Sequence, residues 1–367
     1  MTIKKLSVVY ISGTLGLGGA ERELVNQIKA LLPLGVSISV INIGNEQNFK
    51  DEILNLGAEI YQIKHDLSKI HKLILIIRLI YKLQPSIIHS QHFYTNLYAL
   101  FASKILRIPV IGSVQNDLNS EIKANGIFGK PSFLWLPNLS TNSTLAYDRI
   151  ISFGFPSKNL FLLRNAIDLD IYDKSIENLT SKKNNDPFTI ITIGRLVKQK
   201  RIDIFIRLIQ RLHLKFHIEA LVIGAGPLQK ELINYSKELR LEKIVKFLGP
   251  SDNIPQLLSK SDLFVLCSDH EGMPNVIQEA MAAGLPIVST NVGELYWMVE
   301  NGVNGYLVSP NDENDLFDKT KIVIEDVDLQ KLFGIKSRRI AEEKFSLNRL
   351  QKALIEIYVR VINNFYG

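Results

Sequence analysis

The sequence predicts an α/β protein made of two doubly wound domains in tandem, each a parallel sheet with helices on both faces. Three observations carry this expectation. Short β-branched runs alternate with longer helix-like segments from end to end, the signature of parallel sheets under helices. At 367 residues the chain is too long for one ordinary core and suits two domains of about 150–200 residues. A polar, helix-poor stretch, "YDKSIENLTSKKNNDP", interrupts the alternation once, as an interdomain linker would.

In the first half the strand-like runs are "LSVVYIS" (6–12), "VSISVINI" (36–43), "AEIYQI" (58–63), "SIIHS" (86–90) and "PVIGSV" (109–114). Pro85 and Pro109 fall at or just before strand starts, where a residue without an N–H does least harm. After the linker come "FTIITIG" (188–194), "HIEALVIG" (217–224), "KIVKFLG" (243–249), "DLFVLCS" (262–268), "LPIVST" (285–290) and "GYLVS" (305–309). The expected layout is an N-terminal Rossmann-like domain at 1–170, a linker at 171–187, a second at 188–345, and a helix at 346–367 packing back toward the first. Such sheets bind ligands at the carboxyl ends of their strands, so the cleft between the domains is the expected active site.

With 46% hydrophobic and 22% charged residues and a mean hydropathy of +0.09, the chain is globular. Its longest apolar run, "LILIIRLI" at 73–80, is broken by Arg78 and far short of the ~18 residues of a membrane span. The start, "MTIKKLSVVYISG", reads as a first buried strand rather than a secretion signal. The single cysteine, Cys267, sits in an apolar run, which excludes disulfides and fits a structural thiol in a cytosolic protein. A net charge of +6 favours anionic partners, yet no basic block interleaved with aromatics and no zinc signature points to nucleic acid.

Candidate chemistry gathers in "DHEGMPNVIQEAMAAGLPIVST", 269–290. Asp269, His270 and Glu271 follow a buried strand, on the ligand side of the sheet. Pro274 suits the first position of the next helix, leaving the amides of Gly272, Met273 and Asn275 near its positive end, with Val276 on the apolar face. Glu279 falls at the margin of that face, and no cation stands three or four residues away in sequence, which tilts it toward a ligand. For Glu271, capping the helix is an equal alternative.

A second cluster, "IGRLVKQKR" at 193–201, sets Arg195 and Lys200 at a strand end, where guanidinium and ammonium can grip phosphate. Viewed alone such a run is a solvated basic turn; its place after the first strand of the second domain raises the ligand reading. A third, "SGTLGLGGAERELV" at 12–25, fails as a dinucleotide fingerprint because Glu21 stands where the third glycine belongs. Gly18 and Gly19 still allow backbone to approach a ligand in front of a helix N-terminus. The two D-x-D triplets, Asp168–Asp170 and Asp326–Asp328, read as solvated turns rather than a metal site.

Taken together, "GGAER", "IIHSQHFYTN", "IPVIGSVQND", "NAID", "GRLVKQK", "GAGP" and above all "EGMPNVIQEAMAAGLPIVST" resemble the retaining glycosyltransferases of the GT-B fold, family 4-like, that build bacterial lipopolysaccharide, capsule and O-antigen. The resemblance covers nearly the whole chain, and glutamate–seven residues–glutamate is its most specific element. It implies that Glu271 contacts donor-sugar hydroxyls, that Glu279 holds the nucleotide ribose, and that Arg195 and Lys200 bind the diphosphate. Gly18, Gly19, Gln115 and the Gly272–Val276 turn would complete the donor contacts. No metal and no further cofactor are implied.

The resemblance further implies a UDP-linked donor and a polyprenyl-diphosphate-linked glycan acceptor, used in cell-surface polysaccharide assembly. Alternatives are a non-hydrolysing sugar-nucleotide epimerase and a catalytically silent nucleotide-sugar-binding module, although a silent module should lack one of the four site residues. Four departures stand out: Gln91 and Gln115 where many relatives have histidine, Ala166 for glycine, and Arg201 where glycine is common. Segment 64–82 carries five Lys/Arg and one acid, Asp66, and a helix there aligns His71, Arg78 and Lys82 beside Leu75 and Leu79. A patch on an anionic membrane surface is one reading, with the protein cytoplasmic and peripheral on the inner leaflet. A sheet-covering helix with a solvated basic edge is the other.

Overall fold

The computed structural model describes residues 6–177 and 186–367. The chain divides into an N-terminal unit, Met1–Ala166 with Leu347–Gly367, and a C-terminal unit, Ile167–Ser346.

The N-terminal unit holds seven parallel strands, Ser7–Ser12 (β1), Ser37–Asn42 (β2), Glu59–Gln62 (β3), Ile87–Ser90 (β4), Val110–Val114 (β5), Leu139–Thr141 (β6) and Leu160–Leu162 (β7). Their order is β3-β2-β1-β4-β5-β6-β7. Alternate residues of β1 serve opposite faces: Val8 and Tyr10 join one core cluster, Val9 and Ile11 the other. Both faces are covered, so the strand reads as a continuous apolar run. On one side lie helices Gly19–Leu31 and Leu347–Tyr366, the latter burying Leu350, Leu354, Ile357, Tyr358 and Val361 at helical spacing. On the other lie helices Lys69–Leu83 and Asn96–Leu106.

The C-terminal unit repeats the plan with six parallel strands, Phe188–Ile193 (β8), Ile218–Ile223 (β9), Val245–Gly249 (β10), Leu263–Leu266 (β11), Ile287–Thr290 (β12) and Gly305–Val308 (β13). The order is β10-β9-β8-β11-β12-β13, and Ile190 and Val265 face one core while Ile191 and Phe264 face the other.

In each unit the chain reverses its direction of winding at the first strand, between β1 and β4 and between β8 and β11. Ligand crevices of doubly wound sheets open at such switch points.

Two sequence expectations need correcting. The strands β6 and β7, three residues each, had no counterpart among the expected runs. The stretch taken as linker, 171–187, begins inside a helix, Leu169–Glu177, whose Tyr172 is buried in the C-terminal core and whose Asp173 pairs with Arg338 at 2.8 Å. Leu169 and Tyr172, three apart, give this otherwise polar segment an apolar edge to bury. Residues 178–185 of the expected linker lie outside the described ones. Among the described residues, no helix is long and apolar enough to cross a membrane.

Candidate active site

The loops after β8 and β11 meet over the C-terminal switch point. Lys200 Nζ lies 2.5 Å from Glu271 Oε1, which also accepts from Ser268 Oγ at 2.6 Å. The two side chains are 17% and 8% exposed, so the pair is largely withdrawn from water. Backbone contacts join the same loops: the Asp269 amide donates to the Gln199 carbonyl at 2.8 Å, and Gln199 Nε2 donates to the His270 carbonyl. Arg195, on the same loop as Lys200, is exposed and makes no ion pair among the described residues. The loop after β8 thus carries one lysine in a largely buried ion pair and one accessible guanidinium, a set of groups suited to an anion with hydroxyls attached.

The Glu271–Asn275 turn is held from behind. The Glu294 amide donates to the Gly272 carbonyl at 2.9 Å. Gly293, at φ 58°, lies so close that a Cβ there would fall 2.1 Å from the Glu271 carbonyl oxygen. Only glycine fits both the left-handed conformation and that approach. Gly272 itself is exposed, with nothing within 4 Å of an added Cβ.

Helix Asn275–Ala282 begins one residue later than expected, with Pro274 at its N-cap in extended conformation. Met273 is buried in the core with Ile277 and Ala280, and Val276 packs against them, so these two can offer a ligand their amides but not Met273's side chain. Asn275 and Glu279 are half-buried, one turn apart. Arg201, where the resembled family commonly has glycine, adopts φ 47°. Its guanidinium spans Asp203 at 3.1 Å, Asp269 at 3.2 Å and Asn311 at 2.6 Å, tying the loop after β8 to those after β11 and β13. Burial works against the charge on Asp203, but Arg201 and Arg207 prevail and lower its pKa.

At the N-terminal switch point the polar groups serve one another. The Gly13 amide donates to His92 Nδ1 at 3.0 Å, which leaves Nε2–H to donate to Glu21 Oε1 at 3.0 Å. Gly18 caps helix Gly19–Leu31, and its missing side chain makes room for Glu21, whose Oε2 lies 2.2 Å from where a Cβ would be. Gly19 is exposed beside it. Gln91 is fully buried, its Nε2 donating to the Ala20 carbonyl at 3.0 Å, so it anchors the start of that helix. Gln115 is half-buried just beyond β5. Sequence reading missed Ser268, Gly293, the reach of Arg201 and the Gly13–His92–Glu21 chain; an isolated glycine soon after a strand was the available signal for Gly293. Asp326 of the second D-x-D is a helix cap rather than a solvated turn, accepting from the Leu329 amide at 2.8 Å.

Residues 17–171 match the family model of glycosyltransferase family 4, and residues 174–340 match that of glycosyl transferases group 1. Over 212 residues the chain is 28% identical to N-acetyl-alpha-D-glucosaminyl L-malate synthase of Bacillus anthracis, covering 57% of this chain and 56% of that protein. Over 242 residues it is 31% identical to the N-acetylgalactosamine-N,N'-diacetylbacillosaminyl-diphospho-undecaprenol 4-alpha-N-acetylgalactosaminyltransferase of Campylobacter jejuni, covering 64% and 63%. The matched stretch is thus under two-thirds of either relative's length. Anabaena HepE, solved with UDP and glucose, superposes with a TM-score of 0.80 at 22% identity, over 96% of this chain and 98% of that one. With both family models matched in sequence order, on two parallel-sheet units that share the GT-B fold, the chain belongs to the glycosyltransferases of the family 4 and group 1 type.

Proposed function

We propose that the protein transfers a hexosyl or N-acetylhexosaminyl group from a nucleoside-diphosphate sugar, a UDP-sugar by preference, to a polyprenyl-diphosphate-linked glycan. Transfer proceeds with retention and without a metal ion. The carrying observation is the Lys200–Glu271 pair at the C-terminal switch point, with Arg195 exposed on the same loop. Arg195 and Lys200 take the diphosphate, Glu271 accepts from hydroxyls of the donor sugar, and Glu279 accepts from the ribose. The amides of Gly272, Met273 and Asn275 lie at the start of a helix and add partial positive charge.

As the bond from the anomeric carbon to the β-phosphate oxygen breaks, negative charge grows on the leaving diphosphate and positive charge on the sugar. Fixed cations therefore stabilise the transition state more than the bound donor. The acceptor hydroxyl attacks from the face the leaving group vacates and passes its proton to the departing phosphate oxygen. Double displacement through Glu271 is disfavoured because Lys200 and Ser268 already engage that carboxylate. The diphospho-undecaprenol named for the Campylobacter relative and the UDP bound to HepE support the acceptor and donor classes. The lipid would be met at the cytoplasmic face, with the protein attached peripherally.

A thermal-shift panel of UDP, GDP and their sugars tests the donor. Ligand at 100 times its Kd adds about 2.7 kcal/mol to stability, and no response to any nucleoside diphosphate overturns the assignment. Arg195→Ala and Glu271→Gln should remain folded and lose transfer; wild-type turnover in either removes its proposed role. Net UDP release in the presence of acceptor separates transfer from epimerisation, which releases none.

A further inference from the structure

An ammonium is a compact point charge, so Lys200 attracts the Glu271 carboxylate without fixing which of its two oxygens faces a ligand. A second donor does fix it. Ser268 Oγ lies 2.6 Å from Oε1, the same oxygen that Lys200 Nζ meets at 2.5 Å. Oε2 has no hydrogen bond among the described residues and keeps contact with solvent. Two donors from two segments of the chain therefore converge on one oxygen, and the other is left to accept from outside.

Ser268 is itself held in place. It stands two residues past β11, is 0% exposed, and its carbonyl accepts from the hydroxyl of Thr290, the last residue of β12, at 2.7 Å. Its own hydroxyl makes one hydrogen bond among the described residues, the one to Glu271. Burying a hydroxyl costs free energy unless it is bonded, and alanine would fill the same space. What serine adds at this position is the bond to the carboxylate, which is charge-assisted.

We propose that Ser268 is a positioning residue for the donor sugar. It holds Glu271 Oε1 so that Oε2 accepts from a sugar hydroxyl. The inference rests on the donor site proposed above, where Lys200 serves the diphosphate as well as Glu271. As phosphate charge draws the ammonium, its hold on the carboxylate weakens, whereas the Ser268 hydroxyl stays where β11 and β12 fix it. Its contribution thus falls on the sugar and not on the nucleotide.

Ser268→Ala and Ser268→Cys test this, because cysteine is close to serine in shape but its S–H is a weak donor. Each variant and the wild-type protein are titrated with UDP, UDP-glucose, UDP-galactose and their two N-acetylhexosamine counterparts. Both variants should bind UDP as the wild type does and bind the preferred UDP-sugar about tenfold more weakly, the size of one hydrogen bond to a charged group. Unchanged thermal midpoints without ligand show that both are folded. Wild-type sugar binding in the cysteine variant would make the role one of shape and overturn the proposal. Equal weakening of UDP and UDP-sugar, or no weakening of either, overturns it as well. A wild-type protein that ignores every sugar nucleotide sinks the donor assignment instead. The crystal structure of Ser268→Ala then decides the positioning role by itself: the Glu271 carboxylate should turn to meet Lys200 with both oxygens, and an unmoved carboxylate overturns the proposal.

Discussion

At the C-terminal switch point the polar side chains are ions held by ions, Lys200 by Glu271 and Arg201 by Asp203 and Asp269. The N-terminal sheet, wound the same way, is threaded instead by neutral groups. Tyr10 and Tyr358 share a hydrogen bond of 2.9 Å, Tyr358 meets His89 Nδ1 at 2.7 Å, and His89 Nε2 meets Ser113 Oγ at 3.2 Å. This second network fastens the C-terminal helix to the sheet and leaves no charge to offer. One topology therefore supports two uses of buried polarity. In one unit it takes the form of paired charges at the edge of the sheet; in the other it is neutral and fixes the chain's own elements.

Removing one ion from the C-terminal pair should have the largest effect. Lys200→Met strands a carboxylate that is 8% exposed and should cost about 3 kcal/mol, as should Glu271→Gln. The double variant should return to within about 1 kcal/mol of the starting protein, because neither charge is then left unpaired. Each unit has one tryptophan, Trp135 in the N-terminal and Trp297 in the C-terminal. Urea denaturation in a Trp135→Phe background thus reports the C-terminal unit alone. Additive single effects would show that the pair is not energetically coupled.

What made that pair hard to foresee is its separation in sequence. Arg195, Lys200, Glu271 and Glu279 could be picked out from strand-end position and resemblance, but the contact between Lys200 and Glu271 exists because β8 and β11 are neighbours. Strand order is a long-range property that no local pattern encodes. The central strands were legible because burial on both faces leaves runs such as "SVVYIS" uniformly apolar. At three residues, β6 and β7 are too short to show a period, and helix Leu169–Glu177 was hidden by its polar face. The glycine-rich turn of the N-terminal unit was legible as a turn; that Glu21 folds over Gly18 was not, since that depends on His92 arriving from β4.

Two buried groups of the N-terminal unit, His89 of that network and Glu23, predict a different response to pH. Burial pushes the His89 pKa from 6.5 down to about 3 and lifts Glu23 from 4.5 to about 8, although the Ala166 amide bound to the Glu23 carboxylate pulls the other way. Below pH 6.5 the unfolded chain protonates His89 and the folded one does not until about 3, so stability falls with acid across that window. Above pH 4.5 the unfolded chain releases the Glu23 proton and the folded one keeps it to about 8, so stability falls with base. The slopes cancel between pH 4.5 and 6.5 and leave a plateau with a loss of about 2 kcal/mol by pH 8, at about 1.4 kcal/mol per unit. Glu23→Gln should remove the alkaline limb and spare the acid one, read from Trp135 in a Trp297→Phe background. An unchanged alkaline limb would mean that Glu23 is ionised in the fold.

The smallest effect bears on whether the ionic unit holds strain to keep its loops tied. Arg201 pays for its φ of 47° with roughly 1 kcal/mol, as any residue with a Cβ would, and recovers it through Asp203, Asp269 and Asn311. Its side chain is 24% exposed, so those contacts are partly screened and each is worth no more than about 1 kcal/mol. Arg201→Gly removes strain and contacts together and should leave stability within about 0.5 kcal/mol, whereas Arg201→Ala keeps the strain and loses the contacts, falling about 1 kcal/mol below the glycine variant. Urea midpoints from Trp297 measure the difference. Equal midpoints would show that the backbone relaxes out of the left-handed region once the guanidinium is gone, and hence that the contacts themselves hold arginine there.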